Sequence, residues 1–251
     1  MQIKKYIKSP IFYMGNKYKL LSQLIPLFPD NIDSFYDLFG GSGCMVNVDC
    51  NKYIYNEINE NIYKLFGMFT TVPPAMIITS IKNTVDKFDL NKEGTDVRQN
   101  NPNIKEIRDY YNKNYLKFRE YYNSSKERFY VDLYTLTFYS FSNLIRFNKN
   151  NEFNMPYGNR CFCKKHEDNI LEWCSLLKNK KIEINNKDAF NILQDTIFSD
   201  NDFIYLDPPY TNTLAIYNEK RAFGGWDKNQ DLRLFSILEK LDKCGVKWGM
   251  S

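Results

Sequence analysis

Apolar positions recur along this chain with two different periods, and the switching between them sets the expected fold. Between Asn16 and Phe28, the residues Leu20, Leu21, Leu24, Ile25 and Phe28 keep helical spacing. They predict an amphipathic helix that Pro26 and Pro29 bring to a close. Residues 34–39 form a short apolar strand running into Gly40-Gly41-Ser42-Gly43, and residues 53–56 form a second strand ending at Glu57. A helical pattern follows over 59–69. Residues 86–103 are polar and aperiodic, with a turn cluster at 100–103, and read as an exposed insertion. Two Tyr- and Phe-rich helices are expected over 104–122 and 126–142, then a β-hairpin over 146–160 turning at Asn148–Asn151, and a helix near 167–178. Strands at 181–185 and 202–206 come next, the second entering Asp207-Pro208-Pro209-Tyr210. Asp227 is placed to cap a helix over 228–243, and 246–250 is a last strand.

Strands alternating with helices at both ends predict an α/β fold with a parallel, doubly wound sheet. The middle does not alternate and reads as an insert, giving expected segments 1–65, 66–179 and 180–251.

Composition narrows the class. With 251 residues, 43% hydrophobic, 25% charged and 16% aromatic, the chain can bury a sizeable core and is not a disordered sequence. The six cysteines (44, 50, 161, 163, 174 and 244) are too scattered for a disulfide scaffold. No apolar run approaches the roughly 18 residues of a membrane span, and the first residues lack a signal core, so a soluble, cytoplasmic protein is expected. A net charge of +4, from 34 Lys+Arg against 30 Asp+Glu, suits a nucleic-acid binder only if the basic residues gather on one face.

Two stretches carry chemistry. In Asp37-Leu38-Phe39-Gly40-Gly41-Ser42-Gly43 a strand opens into a glycine turn, where missing Cβ atoms let a backbone approach a ligand or a neighbouring element. The spacing fits neither G-x-G-x-x-G nor the P-loop. Glu57, after the next strand, is placed to accept from two ribose hydroxyls, and Asp37 adds negative charge, which favours a cationic nucleoside over a dinucleotide. Glycines serving only packing remain an equal alternative.

Asp207-Pro208-Pro209-Tyr210 is the sharper signal. The prolines stiffen the turn and push Asp207 toward extended geometry. The Asp207 carboxylate and the Pro208 carbonyl can then both accept from one exocyclic amino group, while Tyr210 offers a face on which a base can stack. Aromatic amines are weak nucleophiles, because their lone pair is delocalised. Two acceptors drawing on the N–H bonds help the nitrogen become pyramidal.

With Tyr13-Met14-Gly15-Asn16-Lys17 ahead of them, these motifs resemble the Dam-type DNA adenine N6-methyltransferases (D12 class, alpha group), most of all the phage Dam enzymes. The resemblance covers nearly the whole chain outside 86–103. It implies a Rossmann-like sheet dependent on S-adenosylmethionine, with an inserted target-recognition domain. It implies cofactor contacts from Tyr13, Lys17, Asp37, Phe39, Gly40, Gly41, Ser42, Gly43, Glu57, Asp188, Phe190 and Asp207, and catalysis by Asp207, Pro208, Pro209 and Tyr210 without a metal. It implies double-stranded DNA as partner, GATC as the site and a flipped-out adenine. Phe141, Ser142, Asn143, Arg146, Asn148, Pro156 and Arg160 are the DNA-facing residues on this reading, Arg146 and Arg160 each reading a guanine for about 1–3 kcal/mol of discrimination. Lys126, Arg128, Lys149, Lys164 and Lys165 are candidate phosphate contacts. A monomer or weak dimer is expected.

Other readings were weighed. Cys161-x-Cys163-x2-His166 with Cys174 lacks the usual zinc spacing, so reduced thiols are expected, with His166 an exposed cap or DNA contact. The chain stops one strand after the Asp207 loop, where the family continues, which suggests a truncated fragment or a missing partner. An alternative function is therefore a catalytically incompetent GATC-binding remnant. Methylation of RNA or of a protein amide is a third reading, against which the 141–160 segment speaks.

Overall fold

The computed structural model describes residues 5–92, 104–209 and 226–251. Among them are five strands: β1 (Ile32–Asp37), β2 (Cys50–Asn56), β3 (Ile182–Asn185), β4 (Phe203–Leu206) and β5 (Lys247–Met250). They form one sheet in the order β3-β2-β1-β4-β5, and every neighbouring pair is parallel. The chain winds outward from β1 to one side, then returns to lay β4 on its other flank, which is the doubly wound α/β arrangement expected from the alternation. The helices are α1 (Leu21–Leu24), α2 (Glu60–Thr71), α3 (Pro74–Lys87), α4 (Ile104–Ser124), α5 (Tyr130–Tyr139), α6 (Lys164–Lys178), α7 (Ala189–Asp195) and α8 (Lys228–Lys243). None of the described helices is long and apolar enough to cross a membrane.

The chain divides into two compact units. The first comprises Met1–Ser9, Gly15–Gly67 and Ser175–Ser251, the second Pro10–Met14 and Met68–Cys174.

In the first unit, alternation along β4 sends rings to one face of the sheet and aliphatic residues to the other. Phe28, Phe35, Tyr53, Phe203 and Tyr205 form the aromatic face, with Phe35 stacked on Tyr53 at 5.9 Å between centroids. Ile204 and Leu206 pack on the opposite side with Ala189, Ile192 and Leu193 of α7 and with Leu234, Ile237 and Leu238 of α8. β4 is thus buried along its whole length, as a central strand of a parallel sheet must be. At the start of α8, Asp227 accepts from the N–H groups of Asn229 and Gln230 while Gln230 reaches back, a complete capping box. The helix expected over 16–28 is broken instead: α1 has four residues, flanked by 3-10 turns at Tyr18–Leu20 and Ile25–Leu27. Pro26 cannot donate to a continuing α-ladder, and only Leu21 of this apolar stripe is fully buried.

The second unit is helical. α5 is buried from Leu133 to Tyr139, so it forms the centre of its unit and shows no amphipathic stripe. Its bounds are shorter than the 126–142 expected, since the chain leaves α5 through a 3-10 turn at Phe141–Asn143 where Ser142 and Asn143 both take φ 56°. α3 occupies a stretch with no expected element. The insertion expected at 86–103 is corrected at its start: Leu90 and Asn91 are buried, and the Asn91 carbonyl accepts from the Tyr139 hydroxyl. The remainder, 93–103, lies outside the described residues.

The expected hairpin at 146–160 is present but short: across the Asn148–Asn151 turn the Asn148 N–H donates to the Glu152 carbonyl at 2.9 Å and the Asn154 N–H to the Arg146 carbonyl at 3.0 Å, with Phe147 bridging Phe153 between them. Tyr157 bridges instead to Ser140, outside the expected bounds. α4 holds the returning arm. Tyr115, Arg119 and Asn123, four residues apart on one helix face, bond the 153–155 backbone: Tyr115 and Arg119 donate to the Met155 carbonyl at 2.9 Å. Asn123 donates to the Phe153 carbonyl at 3.0 Å and accepts from its N–H at 2.8 Å.

Candidate active site at the carboxyl edge of the sheet

Three adjacent strands end in a carboxylate. Asp37 is the last residue of β1, Glu57 follows β2 and Asp207 follows β4, and register pairs Asp37 with Tyr55 and with Tyr205. The glycine loop and the Asp207 loop therefore leave the sheet from the same edge on neighbouring strands. The gap between them lies where the winding direction reverses, the usual ligand position in open parallel sheets.

Aromatic packing from below shapes the glycine loop. The Tyr55 and Phe66 rings stack at 3.9 Å, and the Tyr55 hydroxyl donates to the Gly41 carbonyl at 2.7 Å. A Cβ on Gly40 would stand 2.3 Å from the Tyr55 ring, and one on Gly43 would stand 2.3 Å from Phe66. Of the two readings offered for these glycines, packing against their own sheet and helix is the one visible at Gly40 and Gly43. The Ser42 carbonyl accepts from the Ser9 hydroxyl, and the Glu57 carboxylate accepts from the N–H groups of Gly41 (2.9 Å) and Asn59 (2.8 Å). Glu57 is thereby held in one orientation with its strand.

Asp37 is buried and accepts from the Tyr53 hydroxyl at 2.5 Å. Burial raises its pKa to about 7, the Tyr53 bond and Lys17 pulling down and the Asp207 charge pushing up. Asp207 is likewise raised, first by burial, against the lowering effect of Lys17 and of a Ser251 hydrogen bond. Lys17 stands on Asp207: its ammonium lies 2.5 Å from both carboxylate oxygens and 3.3 Å from the Gly15 carbonyl. The resemblance implied a cofactor contact for Lys17, and the structure gives it a carboxylate partner in Asp207. Sequence reading also missed Tyr53, which reaches Asp37 from a position two residues away in register, and Ser251, which follows β5 beside Asp207.

One consequence is a pH dependence of stability. Asp37 holds its proton more tightly folded than unfolded, so its contribution is complete below its ordinary value of 3.8 and is lost as pH rises through about 7. Over that window the unliganded protein is expected to lose up to roughly 4 kcal/mol from this group. Asp37→Asn should flatten the pH profile in urea denaturation, and an unchanged profile would refute the assignment.

Phe39 and Phe190 meet the Trp226 ring, Phe190 stacked at 5.7 Å and Phe39 edge-on at 5.5 Å. The Arg233 guanidinium lies 4.2 Å from the Phe190 centroid, and Phe190 is buried. Asp188 caps α7 by accepting from the Phe190 N–H. Pro208 and Pro209 are half-buried, and Tyr210 lies outside the described residues. Tyr13 falls in the second unit.

The expected DNA-facing residues form a self-bonded segment of the second unit. Phe141 is 58% exposed, while Asn143 is buried, donates to the Thr137 carbonyl and accepts from Arg160. Arg146 is held by Asn154 through its side-chain oxygen (2.8 Å) and carbonyl (3.1 Å). Asn148 organises the turn, accepting from the N–H groups of Asn150 and Glu152 and donating to the Glu152 carboxylate. The Pro156 carbonyl accepts from the Phe141 N–H, and Gly158 passes so close to the Ser140 carbonyl that a Cβ would stand 2.4 Å from it. Among the candidate phosphate contacts, Arg128 braces the segment by donating to the Asn123 and Asn151 carbonyls, and Lys164 pairs with Asp168 on its own helix. Of the expected zinc candidates, His166 accepts the Cys163 N–H at the start of α6 with its ring among Phe12, Phe138 and Phe162. It is a half-buried cap and not an exposed one.

A parallel sheet with carboxylates on three neighbouring strand ends, one of them opening an Asp-Pro-Pro turn, describes an α/β protein whose candidate site lies at the carboxyl edge. Residues 13–251 match the model of the D12 class N6 adenine-specific DNA methyltransferases, and the chain belongs to that family. It is 36% identical to modification methylase StsI of Streptococcus sanguinis over 99% of its length, and 34% identical over 98% to type II methyltransferase M.FokI of Planomicrobium okeanokoites. The chain spans about a third of the length of these two relatives, 36% of each. Similarity to a DNA adenine methylase of Haemophilus influenzae is lower, at 26%. The family expected from the motifs is thus established, while the relatives more alike carry modification methylase or type II methyltransferase names and not Dam names.

Proposed function

We propose that this chain methylates N6 of an adenine in duplex DNA with S-adenosylmethionine as donor. The observation that carries the reading is Asp207, whose carboxylate at the β4 end already receives an amino group on both oxygens. The site suits the donor: it is a sulfonium and an ammonium at once, and Asp37, Glu57 and Asp207 line one edge of the sheet. When bound, S-adenosylmethionine supplies an electrophilic methyl group, the C–S bond breaking toward sulfur as N6–C forms and a proton leaves N6.

The chain's part is placement. Glu57, fixed by two backbone N–H groups, is proposed for the ribose hydroxyls, since a carboxylate can accept further bonds. The 40–43 loop and Asp37 are proposed for the methionine end. Asp188 and Phe190 are proposed for the adenine end, where Phe190 has only its edge to offer beside Trp226 and Arg233. Asp207 and the Pro208 carbonyl would accept from the target amino group, and Tyr210 would stack on the extruded base. The second unit is proposed to recognise the target through residues 141–160, with Arg146 and Arg160 each pre-set by an asparagine. GATC is the proposed site, and the names of the methylase relatives favour a modification role beside a restriction enzyme.

Incubation with tritiated S-adenosylmethionine and duplexes with or without GATC tests this. Label recovered as N6-methyl-2′-deoxyadenosine from the GATC duplex is expected. Label confined to another sequence overturns GATC alone, and duplex binding without label in any sequence would leave a DNA-binding remnant.

A further inference from the structure

We infer that Lys17 gates the amine site: in the unliganded protein its ammonium occupies the place on Asp207 that the target's exocyclic amino group would take, and it must be displaced before transfer. The inference rests on the catalytic reading of Asp207.

Both Asp207 oxygens bond one nitrogen at 2.5 Å, so the position facing the two oxygens together is filled by the ammonium and is not open to an incoming amino group. The lysine is held for this from its own side, by the 3.3 Å bond to Gly15 and by the Tyr18–Leu20 turn, whose Leu20 N–H bonds the Lys17 carbonyl. Neither partner is at the surface, the side chains being 11% and 20% exposed, so the pair is only weakly screened. The charged or titratable groups around the Asp207 carboxylate among the described residues are Lys17, Asp37, Cys44, Tyr205 and, through its hydrogen bond, the Ser251 hydroxyl. Lys17 is the cation in that set, and with the Ser251 hydrogen bond it opposes the burial that would protonate Asp207. Once displaced, the ammonium remains in the field of Asp37, on which it already acts. The gate thus keeps Asp207 ionised while the site is unused and hands the carboxylate over only to another N–H donor.

Two measurements on Lys17→Met, which has similar length without charge, test this. In the unliganded protein, 13C NMR of the Asp207 carboxyl should show its midpoint raised by at least about one pH unit, a tenfold change in proton affinity. Lys17→Arg should restore the lower midpoint. Duplex binding is then compared between the methylated target and the same duplex carrying purine, which lacks the amino group, at that adenine. Wild type should prefer adenine by under about threefold, and Lys17→Met by about tenfold or more, since N6 no longer competes with an ammonium.

An unmoved Asp207 midpoint overturns the pairing. A raised midpoint with an unchanged adenine-to-purine ratio makes Lys17 a charge partner and overturns the gate. Failure of the catalytic reading shows separately as no duplex labelled by wild type, and that outcome overturns both. Cofactor affinity of Lys17→Met, measured by calorimetry, reports any donor contact apart from these effects.

Discussion

Alanine at position 207 is expected to abolish methyl transfer, by roughly 10³-fold or more, while S-adenosylmethionine binding stays measurable. The scale is that of removing one group aimed at charge developing in a transition state. Asp207 is the proposed acceptor at the β4 end, where both of its oxygens already bond one nitrogen. The same substitution removes a negative charge that pushes Asp37 upward, so the Asp37 midpoint should fall below about 7. Single-turnover assays with tritiated donor, calorimetry and a carboxyl titration read the three effects independently. Turnover equal to wild type would remove Asp207 from the reaction, whatever the titration showed.

The second large effect belongs to the glycine loop. Gly43 sits at φ 73°, and a Cβ there would meet the Phe66 ring at 2.3 and 2.7 Å. Phe66 cannot retreat easily, because it stacks on Tyr55, which in turn bonds the Gly41 carbonyl. Overpacking costs about 1–3 kcal/mol and left-handed backbone about 1–2 more, so Gly43→Ala should destabilise by roughly 2–5 kcal/mol. Against a total of about 5–15 kcal/mol, that approaches unfolding. Adding Phe66→Leu relieves the clash but not the backbone strain, so about half of the loss should return. Urea denaturation of the single and double variants decides it, and a Gly43→Ala protein as stable as wild type would show that the loop is not set by these rings.

Local signals in the sequence carried most of the first unit. Short apolar runs located β1, β2 and β4 to within a few residues, and the Asp227 cap started α8 where its sequence placed it. The acidic residues after β1, β2 and β4 were legible for the same reason, since a strand that ends in a carboxylate says so within one segment. The expectations that failed depended on something outside their own window. The 146–160 segment pairs only next to its asparagine turn, and the Phe153 and Met155 backbone groups bond to Tyr115, Arg119 and Asn123 of α4, so the hairpin is shorter than its letters suggested. Leu90 and Asn91 sit in a polar stretch and are buried all the same.

By itself the amino-acid order settled the kinds of element, the edge from which the reactive loops emerge and the family, because periodicity, caps and strand-end residues act over a few positions. Partner choice was beyond its reach. Lys17 meets Asp207 across 190 positions, and Tyr53 meets Asp37 across a strand pair. Those pairings arise from the order of strands in the sheet, with β1 between β2 and β4, and from burial that forces each charge to find a neighbour.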